Sequence, residues 1–337
     1  MNNNILNRWL DDIINWWFKP HRPHVVRGFE ILICISMAYY FSSFLHRLDI
    51  WIGNGGYRVS KEATSSHYLD PPPTVPDDLL IPVAVTFYIL CAIYLYCCCV
   101  SNSVANFLRR MLAFVFFCIC MYVQALDQPS AFTVNRMFIV SFFVLSMQPS
   151  EIVINGRNYV SGWIIRFFQL TLILQYSTSG ICKANPGDWI IWDPFGFHWK
   201  IVWTQAQGHY KTWLAAQAIH DLPFIFWAIM SLLSYLFELG AVFWFGIKKT
   251  RYGAIIFGIL FHLGIATLMK DLIYFSFQMI TSYIFYVEHK YILMGLRYLY
   301  QRMGKDTSIF DQELEDLKSQ VDHNLDSNPP DSISLHP

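Results

Sequence analysis

The segment RFFQLTLILQYSTSGICKANPGDWIIWDPFGFHW, residues 166–199, decides how the whole chain is interpreted. It begins as an apolar run from Phe167 to Ile181, and one cation, Lys183, stands just after that run. A turn sequence and a group of tryptophans and phenylalanines follow. An ammonium group at the end of a membrane helix is costly unless it anchors the helix or serves as a reactive group. From these residues alone, both interpretations of Lys183 are open.

The composition around this segment is typical of a membrane protein. Of the 337 residues, 55% are hydrophobic, 18% aromatic and 14% charged, whereas about a quarter of the residues in soluble domains are charged. The apolar residues form long blocks, which predicts a polytopic membrane protein in contact with membrane lipids. The 24 basic and 24 acidic residues balance, which argues against a nucleic-acid partner. The eight cysteines show neither paired nor metal-ligand spacing, so no metal site is predicted.

The hydropathy pattern predicts an all-α fold, a polytopic transmembrane helical bundle of about eight spans with an N-terminal interfacial amphipathic helix. In residues 4–19, Trp and aliphatic side chains recur at helical spacing, and Trp favours the headgroup region of a bilayer. The predicted spans cover residues 25–45, 79–100, 107–126, 131–147, 162–182, 222–247, 252–269 and 272–287. The chain is thus divided into the interfacial helix (1–21), the bundle (22–290), and a cytoplasmic helix with a polar, partly disordered tail (291–337).

The basic residues predict the orientation of the bundle, because cytoplasmic loops are enriched in Lys and Arg. With the N-terminus in the cytoplasm and eight alternating spans, sixteen Lys and Arg residues lie on the cytoplasmic side and seven on the other, while Arg136 lies within the fourth span. Both termini are therefore predicted to be cytoplasmic. Lys183 and the aromatic loop at 183–221 then face the extracytoplasmic side.

Polar side chains recur inside the predicted fourth to seventh spans, where a bilayer disfavours them. They are Asn135, Arg136, Gln175, Tyr176, Glu238 and His262. Together they predict a polar cavity in the bundle.

Individual members of this set allow more than one interpretation. Arg136 either snorkels or pairs with Glu30 or Glu238 to hold helices together, or it binds an anionic group. His262 is either a hydrogen-bonded packing residue or a proton carrier. Glu238 is neutral, paired with a base, or a proton carrier.

Lys183 is a candidate base if the aromatic loop around Trp189 buries it. Desolvation disfavours an ammonium ion, and a neutral amine can accept a proton from a hydrophobic acid. The alternative is an interfacial anchor with no chemical role.

A family resemblance is carried by the same segment. The pattern Q-x5-Q-Y-x3-G-I-x-K followed by D-W comprises Gln169, Gln175, Tyr176, Gly180, Ile181, Lys183, Asp188 and Trp189. It resembles the horizontally transferred transmembrane (HTTM) domain family, which is related to the membrane domain of the vitamin K-dependent gamma-carboxylases. Arg27, Glu238 and the segment HLGIATLMKDLIYFSFQMI at 262–280 agree with this pattern, and the resemblance covers about residues 20–290.

This resemblance implies a quinol- or lipid-dependent membrane enzyme, carboxylase- or oxygenase-like, with a vitamin K-like quinol as cofactor and Lys183 as the base. It also implies His262 and Glu238 as catalytic groups, with Asn135, Arg136, Gln175, Tyr176 and Trp189 at the substrate.

The chain departs from the carboxylase pattern in two places. Asn135 is followed by Arg136 where those enzymes have an essential histidine, and no large lumenal domain follows the bundle. Both differences argue against glutamate carboxylation itself. The alternative is a non-enzymatic maturation or export partner of a secreted peptide, as in small relatives of the sporulation-delaying protein B type. Transport is disfavoured because the sequence shows no inverted repeat.

The predicted orientation is tested by fusing a topology reporter after Gly208. We expect an extracytoplasmic signal from this fusion and a cytoplasmic signal from a fusion at the C-terminus. A cytoplasmic signal at Gly208 would contradict the arrangement of eight spans.

Overall fold

The computed structural model describes residues 3–56, 58, 70–126, 133–154, 157–184, 213–269, 272–308 and 310–316. The described residues are mostly helical, and their one sheet is the two-stranded antiparallel hairpin of β1 (Ile152–Ile154) and β2 (Arg157–Tyr159). The prediction of an all-α helical fold is confirmed at this level. The chain divides into two compact units, Met1–Tyr286 and Val287–Pro337.

Every predicted apolar block contains a helix close to the expected position. The helices of the first unit are α1 (Asn3–Phe18), α2 (His24–Ser42), α3 (Leu48–Trp51), α4 (Leu80–Cys99), α5 (Ser103–Leu126), α6 (Thr133–Ser146), α7 (Trp163–Ala184), α8 (Trp213–Asp221), α9 (Phe224–Leu239), α10 (Ala241–Gly246), α11 (Lys248–Leu268) and α12 (Ile273–Ser282). A 3₁₀ turn, Tyr283–Tyr286, follows α12, and the second unit begins with α13 (His289–Arg302).

Four stretches among the described residues are long and apolar enough to cross a membrane: His24–Trp51, Asp77–Cys99, Ser103–Leu126 and Lys248–Leu268. A fifth is obtained if α8 and α9, which meet at 111°, count as one span. The apolar helices therefore indicate a membrane protein, but the predicted count of about eight spans is not confirmed.

α6 and α7 do not meet this criterion of length and mean hydropathy, each for a physical reason. α6 has 14 residues and rises about 21 Å, whereas a bilayer core is roughly 30 Å thick. α7 has 22 residues, but polar side chains such as Arg166, Gln169 and Gln175 lower its mean hydropathy.

The amphipathic helix predicted at the N-terminus forms as α1. It exposes Trp9, Ile14 and Phe18 among its apolar side chains. Arg166 of α7 ties it to the bundle, because its guanidinium carbon lies 4.8 Å from the Trp16 ring centroid and its Nε donates to the Trp16 carbonyl at 3.2 Å. The location of α1 at a membrane interface stays a prediction.

Aromatic packing joins the two ends of the bundle sequence. Phe29 of α2, Phe168 of α7 and Phe285 of the 3₁₀ turn meet with ring centroids 4.6 to 4.7 Å apart. Phe29 and Phe285 are almost fully buried. This contact holds α7 against α2 and against the 3₁₀ turn that follows α12.

A buried ion cluster, formed by Arg27, Glu30, Arg109 and Glu151, joins α2, α5 and the segment before β1. Arg27 contacts both carboxylate oxygens of Glu151, at 2.7 and 2.8 Å, and Arg109 Nη2 lies 3.1 Å from the same carboxylate. Arg109 Nη1 is 3.4 Å from Glu30, to which Tyr94 also donates a hydrogen bond. Two cations and two anions therefore neutralise one another away from water.

We expect Arg109→Met to destabilise the protein by about 3–5 kcal/mol, because it leaves the buried Glu30 carboxylate without its cation. Adding Glu30→Gln to this variant should recover part of the lost stability. The charges that then remain in the cluster, Arg27 and Glu151, cancel each other. Thermal unfolding in detergent measures both effects. The control is Glu288→Gln, which removes one partner of an exposed ion pair with Lys290. If the control and Arg109→Met are equally stable, the cluster does not stabilise the fold.

Candidate functional site

Lys183, in the last turn of α7, forms a buried ion pair with Glu238 of α9. Its Nζ lies 2.6 Å from Glu238 Oε2 and donates to Ser234 Oγ at 3.1 Å. The Lys183 side chain is only 14% exposed and that of Glu238 8%. This geometry disfavours a simple interfacial anchor, because an anchoring ammonium would remain in water.

Gly180 allows the two helices to approach closely enough for this pair. A Cβ at position 180 would lie 2.5 Å from the backbone nitrogen of Leu239 and 3.0 Å from the carbonyl carbon of Glu238. The backbone of α9 thus occupies the space that a side chain would need. Lys183 lies three residues after Gly180, so the two residues are neighbours on the same face of α7.

A second polar group lies on the inner face of α7. The Tyr176 hydroxyl is 2.6 Å from His262 Nε2 on α11 and 2.5 Å from the Tyr283 hydroxyl in the 3₁₀ turn. All three side chains are buried. Gly258 of α11 makes room for Tyr283, whose hydroxyl occupies the position where a Cβ would stand.

A cavity of about 630 Å³ borders both groups, through Glu238 of the first and through Tyr176 and His262 of the second. Its lining includes Gln175, Tyr176, Cys182, Glu238 and His262. This volume falls within the range of small-molecule sites. Four residues named from the sequence, on three different helices, therefore face one space.

Asn135 and Arg136 lie elsewhere, on α6. Asn135 is buried, whereas Arg136 is exposed and lines a separate cavity of about 180 Å³. Gln175 and Thr171 line both cavities, so α7 separates them. The 180 Å³ cavity also carries the hydroxyl-bearing side chains Ser141 and Ser282.

The interpretation that Arg136 pairs with Glu30 or Glu238 is wrong. Glu30 is held by Arg109 and Glu238 by Lys183. Within the described part of the chain, Arg136 has neither a hydrogen bond nor an ion pair.

Trp189 and most of the aromatic loop, residues 185–212, lie outside the described residues. The predicted burial of Lys183 by that loop therefore stays a prediction. The buried environment of Lys183 in the described residues comes from α9.

Sequence reasoning missed two members of the site, Ser234 and Tyr283. Ser234 had a detectable signal, since Ser231, Ser234 and Glu238 follow one another at helical spacing on one face of α9. Tyr283 had none, because it joins Tyr176 from 107 residues away through a 3₁₀ turn.

Another cavity, of about 260 Å³, lies between α2, α3, α4 and α5. Its lining is almost entirely apolar, with Phe41, Trp51, Phe87 and Val123 among its members. It contains neither a carboxylate nor an amine, so we place the candidate chemistry in the 630 Å³ cavity.

The fold and the site together define a helical membrane protein with a small-molecule-sized cavity, lined by apolar and a few polar side chains, between α7, α9, α11 and α12. Comparisons with family models, curated proteins and solved structures found no match to this chain.

We expect Gly180→Ala to lower stability by about 1–3 kcal/mol, because the added methyl group meets the α9 backbone, which cannot rotate away. Thermal unfolding measures this loss. Gly253→Ala on α11 is a matched control, since a Cβ there meets nothing within 4 Å. If the two variants unfold at the same temperature, the close approach of α7 and α9 is incorrect.

Proposed function

We propose that this protein is a quinol- or lipid-dependent membrane enzyme in which Lys183 acts as the base. The observation that supports this most directly is the buried Lys183–Glu238 pair beside a 630 Å³ cavity that also contains His262. A cation–anion pair placed away from water at a cavity is a costly arrangement, and such arrangements concentrate at functional sites.

The first step transfers a proton within the pair. When substrate excludes water from the cavity, the proton on Lys183 Nζ moves to Glu238 Oε2 across 2.6 Å, which gives a neutral amine and a neutral acid. The amine then has a free electron pair.

The second step takes a proton from the substrate. The Lys183 amine accepts the proton of an acidic hydroxyl, and the substrate becomes an oxyanion beside the resulting ammonium. Attraction between these charges stabilises the product of the transfer. A quinol in this cavity would supply such a hydroxyl, together with reducing electrons.

The other predicted residues have supporting roles in this proposal. Gln175 and Tyr176 line the wall of the cavity. Arg136, across α7 in the separate 180 Å³ cavity, would bind an anionic group there, with its sequence neighbour Asn135. Trp189, also predicted at the substrate, lies outside the described residues. Arg136 stands at the position where the carboxylases have a histidine. Glutamate carboxylation is therefore not part of the proposal.

The proposed topology keeps the orientation inferred from the basic residues. The protein is multi-pass with cytoplasmic termini, and the cavity opens to the extracytoplasmic side. Membrane lipids are its immediate partners.

We expect Lys183→Ala to reduce turnover by at least about 100-fold, because general acid–base catalysis contributes roughly 10²–10⁴ in rate. The assay follows aerobic oxidation of a naphthoquinol by the purified protein in lipid nanodiscs. Lys290→Ala, which removes an exposed lysine, should retain the wild-type rate.

Retention of activity by a well-folded Lys183→Ala variant would discard this mechanism. A secreted-peptide partner would then be the better description, since that function depends on the loops at 46–78 and 183–221 and tolerates the loss of Lys183.

A further inference from the structure

Among the described residues, one ring nitrogen of His262 has no hydrogen-bond partner. Its side chain is 1% exposed, and Nε2 is occupied by the Tyr176 hydroxyl at 2.6 Å. Nδ1 is buried and has no hydrogen-bond partner among the described residues. A buried polar atom without a partner is rare and calls for a specific explanation. Because His262 lines the 630 Å³ cavity, a ligand in that cavity is the natural partner.

The direction of the hydrogen bonds around Tyr176 decides whether Nδ1 donates or accepts. The Tyr283 hydroxyl is buried, and Tyr176 is its only hydrogen-bond partner among the described residues. A hydroxyl carries one proton, and leaving that proton unbonded in a buried site is costly. Tyr283 therefore donates to Tyr176.

Tyr176 must then use its own proton elsewhere. Its second partner is His262 Nε2, so Tyr176 donates to this nitrogen, which accepts. A neutral imidazole carries one N–H, and when one nitrogen accepts, the other carries the proton. Charging the ring would require a carboxylate close to it, but the carboxylate in this cavity, Glu238, is paired with Lys183. His262 is therefore the Nδ1–H tautomer.

We propose that the cavity selects ligands with a hydrogen-bond-accepting oxygen, namely a carbonyl or an oxyanion, which receives a hydrogen bond from His262 Nδ1–H. This inference rests on the proposed function in taking the same cavity as the substrate site. It adds the class of atom that is recognised and assigns Tyr176 and Tyr283 as positioning residues, which fix the tautomer. Tyr283 was not a candidate from the sequence.

The recognised oxygen has two possible sources, a quinone-type ring carbonyl or the ester carbonyl of a lipid. Both would contact the same N–H. They differ in the rest of the molecule, so labelled probes of each type distinguish them.

Infrared difference spectroscopy on the full-length protein in nanodiscs tests this inference. One arm uses 1,4-naphthoquinone labelled with ¹³C at its carbonyl carbons, and the other uses a phospholipid labelled at its ester carbonyls. We expect the carbonyl stretch of one bound probe to lie at lower frequency than in an apolar solvent, because a donated hydrogen bond weakens the C=O bond.

Variants of His262 connect this shift to the ring nitrogen. His262→Phe should abolish the shift and weaken binding of the probe about tenfold, as expected for the loss of one hydrogen bond in a buried site. His262→Asn should restore the shift, since its amide N–H lies near the position of Nδ1, and His262→Gln should not. His220→Phe, which replaces an exposed histidine on α8, should leave the shift unchanged.

The outcomes separate this inference from the proposed function. An unshifted carbonyl in the wild-type protein, a shift that persists in His262→Phe, or no saturable binding of either probe would overturn the inference, and Nδ1 would then be satisfied by water alone. A shifted carbonyl without naphthoquinol oxidation would leave the inference standing and refute the proposed activity. Oxidation without the shift would refute the inference alone.

Discussion

The pair of Lys183 and Glu238, 2.6 Å apart between α7 and α9, is the interaction on which the candidate site depends. An apolar bundle tolerates a charge only beside its opposite, because each ion loses its hydration on burial. The same constraint acts in the ion cluster, where Arg109 faces Glu30 and Glu151. Glu30 and Glu238 are thus already paired, and neither pairs with Arg136. Charge pairing therefore determines which helices these ions hold together.

Close helix packing brings these charges together. Gly180 lets the backbone of α9 approach α7, and Gly258 leaves space on α11 for Tyr283. Tyr176 of α7 contacts His262 at the 630 Å³ cavity, and Lys183 of α7 pairs with Glu238, which also lines that cavity. A helix advances about 1.5 Å per residue, so the seven positions between Tyr176 and Lys183 place the two polar groups about 10 Å apart along α7. Glu238 and His262, one from each polar group, both line the 630 Å³ cavity.

Prediction from the sequence succeeded where local pattern alone decides the structure. The helices begin and end close to the expected positions, since long apolar runs bounded by Pro, Gly and polar turns leave little choice. The sequence also singled out Lys183, Glu238 and His262, because an ionisable side chain in an apolar run is conspicuous. It did not locate Tyr283, an ordinary aromatic residue at the end of an apolar helix, and it grouped Asn135 and Arg136 with a cavity from which α7 separates them.

The sequence by itself determined that this chain is helical and apolar, with a few polar groups inside apolar helices, where their burial costs free energy. Only the tertiary structure decided the partner of each group. Lys183 and Arg136 were both possible ion-pair partners for Glu238. The periodicity of one helix does not show which face of another helix packs against it. The choice was made by helix packing, since the glycine at position 180 lets α9 approach next to Lys183. The tautomer of His262 likewise follows from a hydrogen-bond chain that crosses three elements distant in sequence.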